Sequence, residues 1–494
     1  MPLPPLDKID AAEAWQPWQP SPADSWGRKW AAHLYRRAAF GASRNELLEA
    51  DRLGPDGTLD LLLKARPEAA NVEKSLADVG RIAASRDERG EQLRGWWLYC
   101  MLQSSHPLRE KMTLFWHNHF ATSLVKVQDT LLMYRQNWLL RTRALGRFGP
   151  MLQAISRDGA MLIWLDANSN VKGKPNENYA RELMELFSLG VGHYTEKDIR
   201  EAARAFTGWH TAGEGFRFNS REHDDGAKTV LGQSGAWDGG DIVRIVLEQP
   251  AAARFLVRKL YHYLISEQAE PPDSLLEPLC TSFRKSDYDI TALLKTMLSS
   301  RHFYSDYAFR QRVKSPVEFV LGAVNAVYGR VPEDNPDYRP LPQQVLVPWL
   351  DAMGQSLFAP PNVKGWPGAI TWLNTSTVLE RNNFATALAM GTLWTHATAG
   401  KSFGKPMSPA EFAEEPPPPK AFDCARLLAE EKADKPEKAL HALLNLYLPG
   451  GVRPEAEKKL LAFAAEGKPT GPGLERRARE TVHAILTMPE NQMA

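Results

Sequence analysis

Two stretches concentrate side chains that bind metals or move protons. "PNENYARELMELFSLGVGHYTEKDIREAARAFTGWH" runs from Pro175 to His210, and "LFWHNHFATS" lies upstream at Leu114–Ser123. At about 100° per residue, Asn178, Glu182 and Glu185 share one helix face, with Tyr179, Leu183, Leu186 and Phe187 on the opposite side. Thr195-x-x-Asp198 then opens a second helix, on which Arg200 and Arg204 stand one turn apart. This helix hairpin has two readings. In one, Glu182 or Glu185 ligates a divalent metal or serves as a general acid or base, with Glu177 as a further candidate ligand. In the other, the carboxylates pair with Arg181, Arg200 or Arg204 and merely knit the hairpin.

His117 and His119 are two residues apart, so on a regular helix their rings diverge by about 200° and cannot share one ion. Each is a candidate metal ligand separately, and each is equally a candidate core histidine among Phe115, Trp116 and Phe120. "REHDDGAKTVLG" adds His223, Asp224 and Lys228 on a loop. A His–Asp pair there suits acid/base or metal chemistry, and a lysine after glycine suits an anion, although the phosphate-loop pattern is missing. "PPNVKGWPGAITWLNTST" supplies Lys364, Trp366, Trp372 and Asn374, which read either as a substrate wall that stacks on sugar faces or as a core plug. Asn178 and Arg181 complete the candidate substrate contacts. There is no HExxH, Gly-x-Ser-x-Gly, Gly-x-Gly-x-x-Gly, EF-hand loop or haem CxxCH, so the commonest hydrolase and dehydrogenase mechanisms lose support.

The elements that must position these residues are helical. "SRNELLEADRLG" begins with a Ser-x-x-Glu capping box and stops at glycine. Trp96 to Phe120 is apolar-rich and broken at Pro107, and "TLLMYRQNWLLRTRALG" follows. Strand signals are confined to "HTAGEGFRFNS" and "KTVLGQSGAWDGGD". The pattern predicts a mainly α fold: a large multi-helix domain with long loops and at most a short hairpin. Residues 1–28 read as a Pro/Trp-rich arm, 29–400 as the helical core, 401–420 as a Pro-rich linker and 421–494 as a small helical region.

A chain of 494 residues can bury a large core, and its 60 Lys+Arg against 59 Asp+Glu give no electrostatic reason to expect nucleic acid. Cys100, Cys280 and Cys424 lie in no paired pattern. No apolar run spans a membrane and the N-terminus has no signal-peptide pattern, so the chain as given reads as cytoplasmic unless another system exports it.

"RRAAFGAS", "LREKMTLFWHNHFATS", the Pro175–Trp209 stretch, "HDDGAKTVLG", "KSPVEFV" and "PPNVKGWPGAITWLNTSTVLERNNFA" resemble, in that order, the bacterial family catalogued as domain of unknown function 1800. The resemblance covers roughly residues 30–390, and the closing "ILTMPENQ" is similar to the family's terminal helix. It implies a mainly helical protein, often exported, whose gene neighbours one for a protein of the alkaline phosphatase/sulfatase type. It implies no activity. Two functions therefore stand as expectations. One is a hydrolytic enzyme in which His117 or His119, Glu177, Glu182, Glu185 and His223 converge, with a divalent metal or by acid/base catalysis alone. The other is a non-catalytic binding or assembly protein acting with the sulfatase/phosphatase-like partner.

Overall fold

The computed structural model describes residues 4–64, 69–85, 89–213, 215–329, 345–393 and 424–494. The predicted linker at 401–420 lies outside these. Helices dominate, and many of the chain's prolines start them. Pro107, Pro250, Pro316, Pro436, Pro454 and Pro472 each occupy the first helical turn, where a missing N–H leaves no carbonyl unpaired.

Helix α1 (Arg28–Ala38) leads into α2 (Arg44–Leu63), which opens on the expected Ser43/Glu46 capping box. α2 is kinked where Gly54 takes φ +69° before Pro55, so the chain bends at the expected glycine and resumes helix beyond it. The apolar stretch divides at Pro107 into α3 (Glu91–Gln103) and α4 (Pro107–His119), followed by α5 (Thr130–Arg143). The motif helix α6 (Asn178–Glu182) passes directly into a π-helical turn, Leu183–Ser188, and α7 (Glu196–Ala205) follows on a Thr195/Asp198 capping box. Two small antiparallel hairpins come next: β1 (Trp209–Ala212) with β2 (Gly215–Phe218), and β3 (Lys228–Val230) with β4 (Gln233–Gly235). One hairpin was the expectation. The glycine-rich second stretch pairs as well.

The remainder is helix again, including α8 (Pro250–Leu264), α9 (Pro316–Tyr328), α10 (Thr375–Met390), α11 (Pro436–Tyr447) and α12 (Pro472–Thr487). One continuous hydrophobic core runs from Ala14 to Leu486, with Trp97 and Trp116 fully buried. The N-terminal arm lies on this body: Trp15 and Trp18 are buried, and the Trp18 N–H donates to the Ser299 carbonyl at 2.8 Å. α12 packs on α10 and α11, so the C-terminal helices share the core.

Buried charge is tied into the helix packing. Glu318 accepts from Lys111, from Arg312 Nη1 (3.2 Å) and from the Ser315 N–H (2.8 Å). Glu110 accepts from Arg141 Nη1 at 2.6 Å, both side chains being fully buried. The Arg141 guanidinium lies 5.1 Å from the centre of the Trp96 ring.

Candidate functional site

α4 sends its two histidines to different places, as the helical spacing requires. His117 enters an aromatic cage, its ring centre 4.9 Å from Trp97, 5.4 Å from Phe358 and 5.7 Å from Trp366. Among the described residues neither of its nitrogens has a hydrogen-bond partner, and burial lowers its pKa to about 3, so the ring is neutral. An unmet buried nitrogen costs about 1–3 kcal/mol. His117→Leu is therefore expected to be neutral or stabilising in urea denaturation. A loss above about 2 kcal/mol would show that the imidazole is held by a partner.

His119 faces the π turn. Its Nε2 lies 3.0 Å from the Phe187 carbonyl and must carry the proton, since a carbonyl only accepts. Its Nδ1 then accepts from the Lys259 ammonium at 3.1 Å, and Lys259 also donates to the Leu186 carbonyl at 3.2 Å. Both carbonyls belong to the last turn of this helix, where no intrahelical donor follows, and a histidine and a lysine from other helices take them. Burial lowers the Lys259 pKa to about 8 and holds His119 well below its usual value. Lys259 escaped the sequence reading because a lysine inside "RFLVRKLYHYL" carries no motif.

On the hairpin, the arginines bind other carboxylates than those expected. Arg181 donates to Glu177 (3.0 Å) and to Glu196 (2.8 and 2.9 Å), while Arg204 grips Asp224 and Glu201. Glu177 is thus an ion-pair partner, and the pairing of Glu182 and Glu185 with Arg181, Arg200 or Arg204 does not form. Glu185 instead accepts from the Tyr194 hydroxyl at 3.1 Å. Burial, and then the Glu185 hydrogen bond, push that phenol up to about 12. Glu182 is half-buried, with no hydrogen bond or ion pair among the described residues. Its pKa is raised by burial and then by the Glu185 charge, against the pull of Arg181 and Lys364. Asn178, on the same face, is exposed and donates to Asp166 at 3.2 Å.

The loop residues form a separate group. His223 Nδ1 donates to the Thr207 carbonyl at 2.9 Å, with Phe218 against its ring. The Arg204 fork pulls Asp224 down to about 2. Lys228 turns back onto the carbonyls of Asp224 and Gly226, so its ammonium closes its own loop rather than facing an anion. Trp366 and Trp372 are 5 % and 7 % exposed, which leaves no ring face for a sugar. Asn374 caps α10 through the Thr377 N–H. The Asn118 side chain accepts from the Trp366 N–H at 2.7 Å and ties that loop to α4. A side chain at Gly365 (φ +82°) would collide with Asn118, which is why glycine stands before Trp366. Lys364 remains exposed.

The structure thus brings together Glu182, Glu185 and Tyr194, and separately His119 and Lys259, and separately His223, Asp224 and Arg204. The convergence expected of a metal centre is not formed: among the described residues no three His, Cys, Asp or Glu side chains are placed to hold one ion.

A family model described as "Protein of unknown function (DUF1800)" matches residues 33–493. The chain belongs to this family. The match extends well past the roughly 30–390 covered by the quoted motifs, so α11 and α12 lie within the DUF1800 span. No curated protein and no solved structure matches this DUF1800 chain. Among its described residues, no helix is long and apolar enough to cross a membrane.

Proposed function

We propose that this DUF1800 protein is a binding or assembly protein whose polar motif blocks rigidify a helical body. The carrying observation is that His119 and, on the motif hairpin and its following loop, His210, His223, Arg181 and Arg204 are each satisfied separately. His119 and His223 are spent on backbone carbonyls, His210 on Glu222, Arg204 on Asp224 and Arg181 on Glu177 and Glu196. Side chains that serve catalysis converge on a reacting atom; these serve to lock helices and loops.

The partner in this reading is the sulfatase/phosphatase-like protein that the family resemblance implies. The face that meets it is the apolar one next to the tryptophan loop, where Ile370 is 69 %, Leu379 56 % and Val378 49 % exposed. Mixed with the purified partner, the chain is expected to co-elute in size-exclusion chromatography, and Ile370→Glu/Leu379→Glu to elute alone while keeping its melting temperature. Separate elution of the unaltered proteins at high micromolar concentration would reject the assembly reading.

A second reading, acid/base catalysis, rests on Glu182 alone, a half-buried carboxyl with raised pKa beside a second carboxylate. The assembly reading gives Glu182→Gln a simple signature. A carboxyl whose folded pKa exceeds its unfolded value contributes stability below the unfolded pKa, near 4.3, and loses it as pH rises through the folded value. Glu182→Gln should therefore be more stable than the parent above the folded pKa, with the difference vanishing below about pH 4. Hydrolysis of chromogenic phosphate, sulfate or carboxylate esters by the parent, lost in Glu182→Gln at unchanged stability, would favour the enzyme instead.

A further inference from the structure

Three motif blocks that take no part in the hairpin meet elsewhere. "RRAAFGAS" supplies Arg36, "KSPVEFV" supplies Lys314 and Glu318, and "PENQ" supplies Asn491. All four residues line a cavity of about 40 Å3 between α1, α9 and the helices that end the chain. A single water needs about 10–15 Å3, so this space admits a small polyatomic ion. Arg36 is 9 % and Lys314 8 % exposed. Lys314 donates to Asn491 Oδ1 at 3.2 Å, its one side-chain partner there. The Arg36 guanidinium has no hydrogen bond, ion pair or ring contact among the described residues.

The surroundings are cationic and the nearby carboxylates are already engaged. Glu318 is held by Lys111, Arg312 and the Ser315 N–H. Glu267 is held by Arg312 and the Val313 N–H. Arg381 donates through Nη1 to Gln492 and through Nη2 to the Lys314 carbonyl, and Arg37 donates through Nη2 to the carbonyls of Ala308 and Ala494. A nearly buried guanidinium without a counter-charge is costly, and an anion in this cavity would supply that charge.

We propose that this cavity binds a compact oxyanion of the phosphate or sulfate class, held by the Arg36 guanidinium and the Lys314 ammonium. Burial and the neighbouring Arg310 lower the Arg36 pKa to about 9, and burial with Arg36 and Arg381 pulls Lys314 well below its usual value. Both shifts have burial as their first cause, and a bound anion would oppose them. The Arg36 fork matches two oxygens of a tetrahedral anion, while Lys314 contributes a point charge.

The test is thermal unfolding of the full chain in a chloride buffer, titrated with sodium sulfate, phosphate or acetate at constant ionic strength. The melting temperature of the parent should rise saturably by about 3 °C or more with sulfate or phosphate, and not with acetate. Arg36→Met should start above the parent, having lost an unpaired buried charge, and should show no saturable rise. Lys314→Met, which retains Arg36, should shift the half-saturating concentration upward by about tenfold. Identical responses of the parent and Arg36→Met, an acetate response equal to that of sulfate, or a parent indifferent to all three would overturn the proposal. If Arg36→Met does not fold, the parent's sulfate-against-acetate difference decides, together with ion chromatography of anion released on denaturing the parent.

Discussion

Glu318→Gln is expected to lower stability by roughly 3–5 kcal/mol, because it strips the shared counter-charge from two buried cations. Lys111 and Arg312 both donate to Glu318 Oε1, and Lys111 is fully buried. Glutamine retains the shape and can still accept from the Ser315 N–H, so the loss isolates charge from packing. The two cations and the capping box hold the Glu318 carboxyl far below its usual range. The sign follows: a carboxyl depressed in the folded state stabilises above its unfolded pKa, near 4.3, and that contribution disappears as pH falls toward the folded value. Urea midpoints of parent and variant should therefore differ fully at pH 7 and approach each other below about pH 4. Asp434→Asn, on the exposed i,i+4 pair with Lys438, is the control and should leave the urea midpoint unchanged within error. A Glu318→Gln loss as small as the control's would mean that water already shields the Lys111–Glu318–Arg312 group.

Glu110→Ala should cost a similar amount, roughly 3–5 kcal/mol, by abandoning the Arg141 guanidinium among Trp96 and Trp138. What separates this from a simple packing defect is the double replacement. Glu110→Leu combined with Arg141→Met removes both charges at nearly constant volume, and should recover most of the loss, since desolvation offsets much of a buried pair's attraction. Equilibrium denaturation of the two variants measures this directly. A double variant as unstable as Glu110→Ala would point to the remaining contacts of these residues, Arg109 to Glu110 and Arg141 to Asn137, as the true tie.

Local signals were legible in the sequence. Ser43/Glu46 and Thr195/Asp198 form the capping boxes their spacing announces, Pro107 divides the long apolar stretch, and the glycine-rich segments after Phe206 turn back as hairpins. The divergence of His117 and His119 also follows from helical geometry. Choices of partner were not legible. Arg181 selects Glu177 and Glu196 over Glu182, because distances across a hairpin depend on side-chain reach that residue types do not encode. The ties of the π turn at Leu183–Ser188 are equally silent, since its last carbonyls are claimed by His119 and Lys259 from helices far away in the sequence. Composition had set the last seventy residues apart behind a proline-rich segment, yet their apolar faces share the core beneath α10.

The bond from Arg37 to the Ala494 carbonyl joins residues 457 positions apart. Lys314 to Asn491 and Arg381 to Gln492 fasten the same closing segment to the middle of the chain. Contacts this distant in sequence form late, because loop-closure entropy opposes them until both ends are in place. On a ribosome Arg37 therefore waits, without the Ala494 carbonyl, until a further 457 residues have been made. During that interval a chaperone has most to protect, and the docking of Asn491, Gln492 and Ala494 is a late step that joins them to a body already largely built.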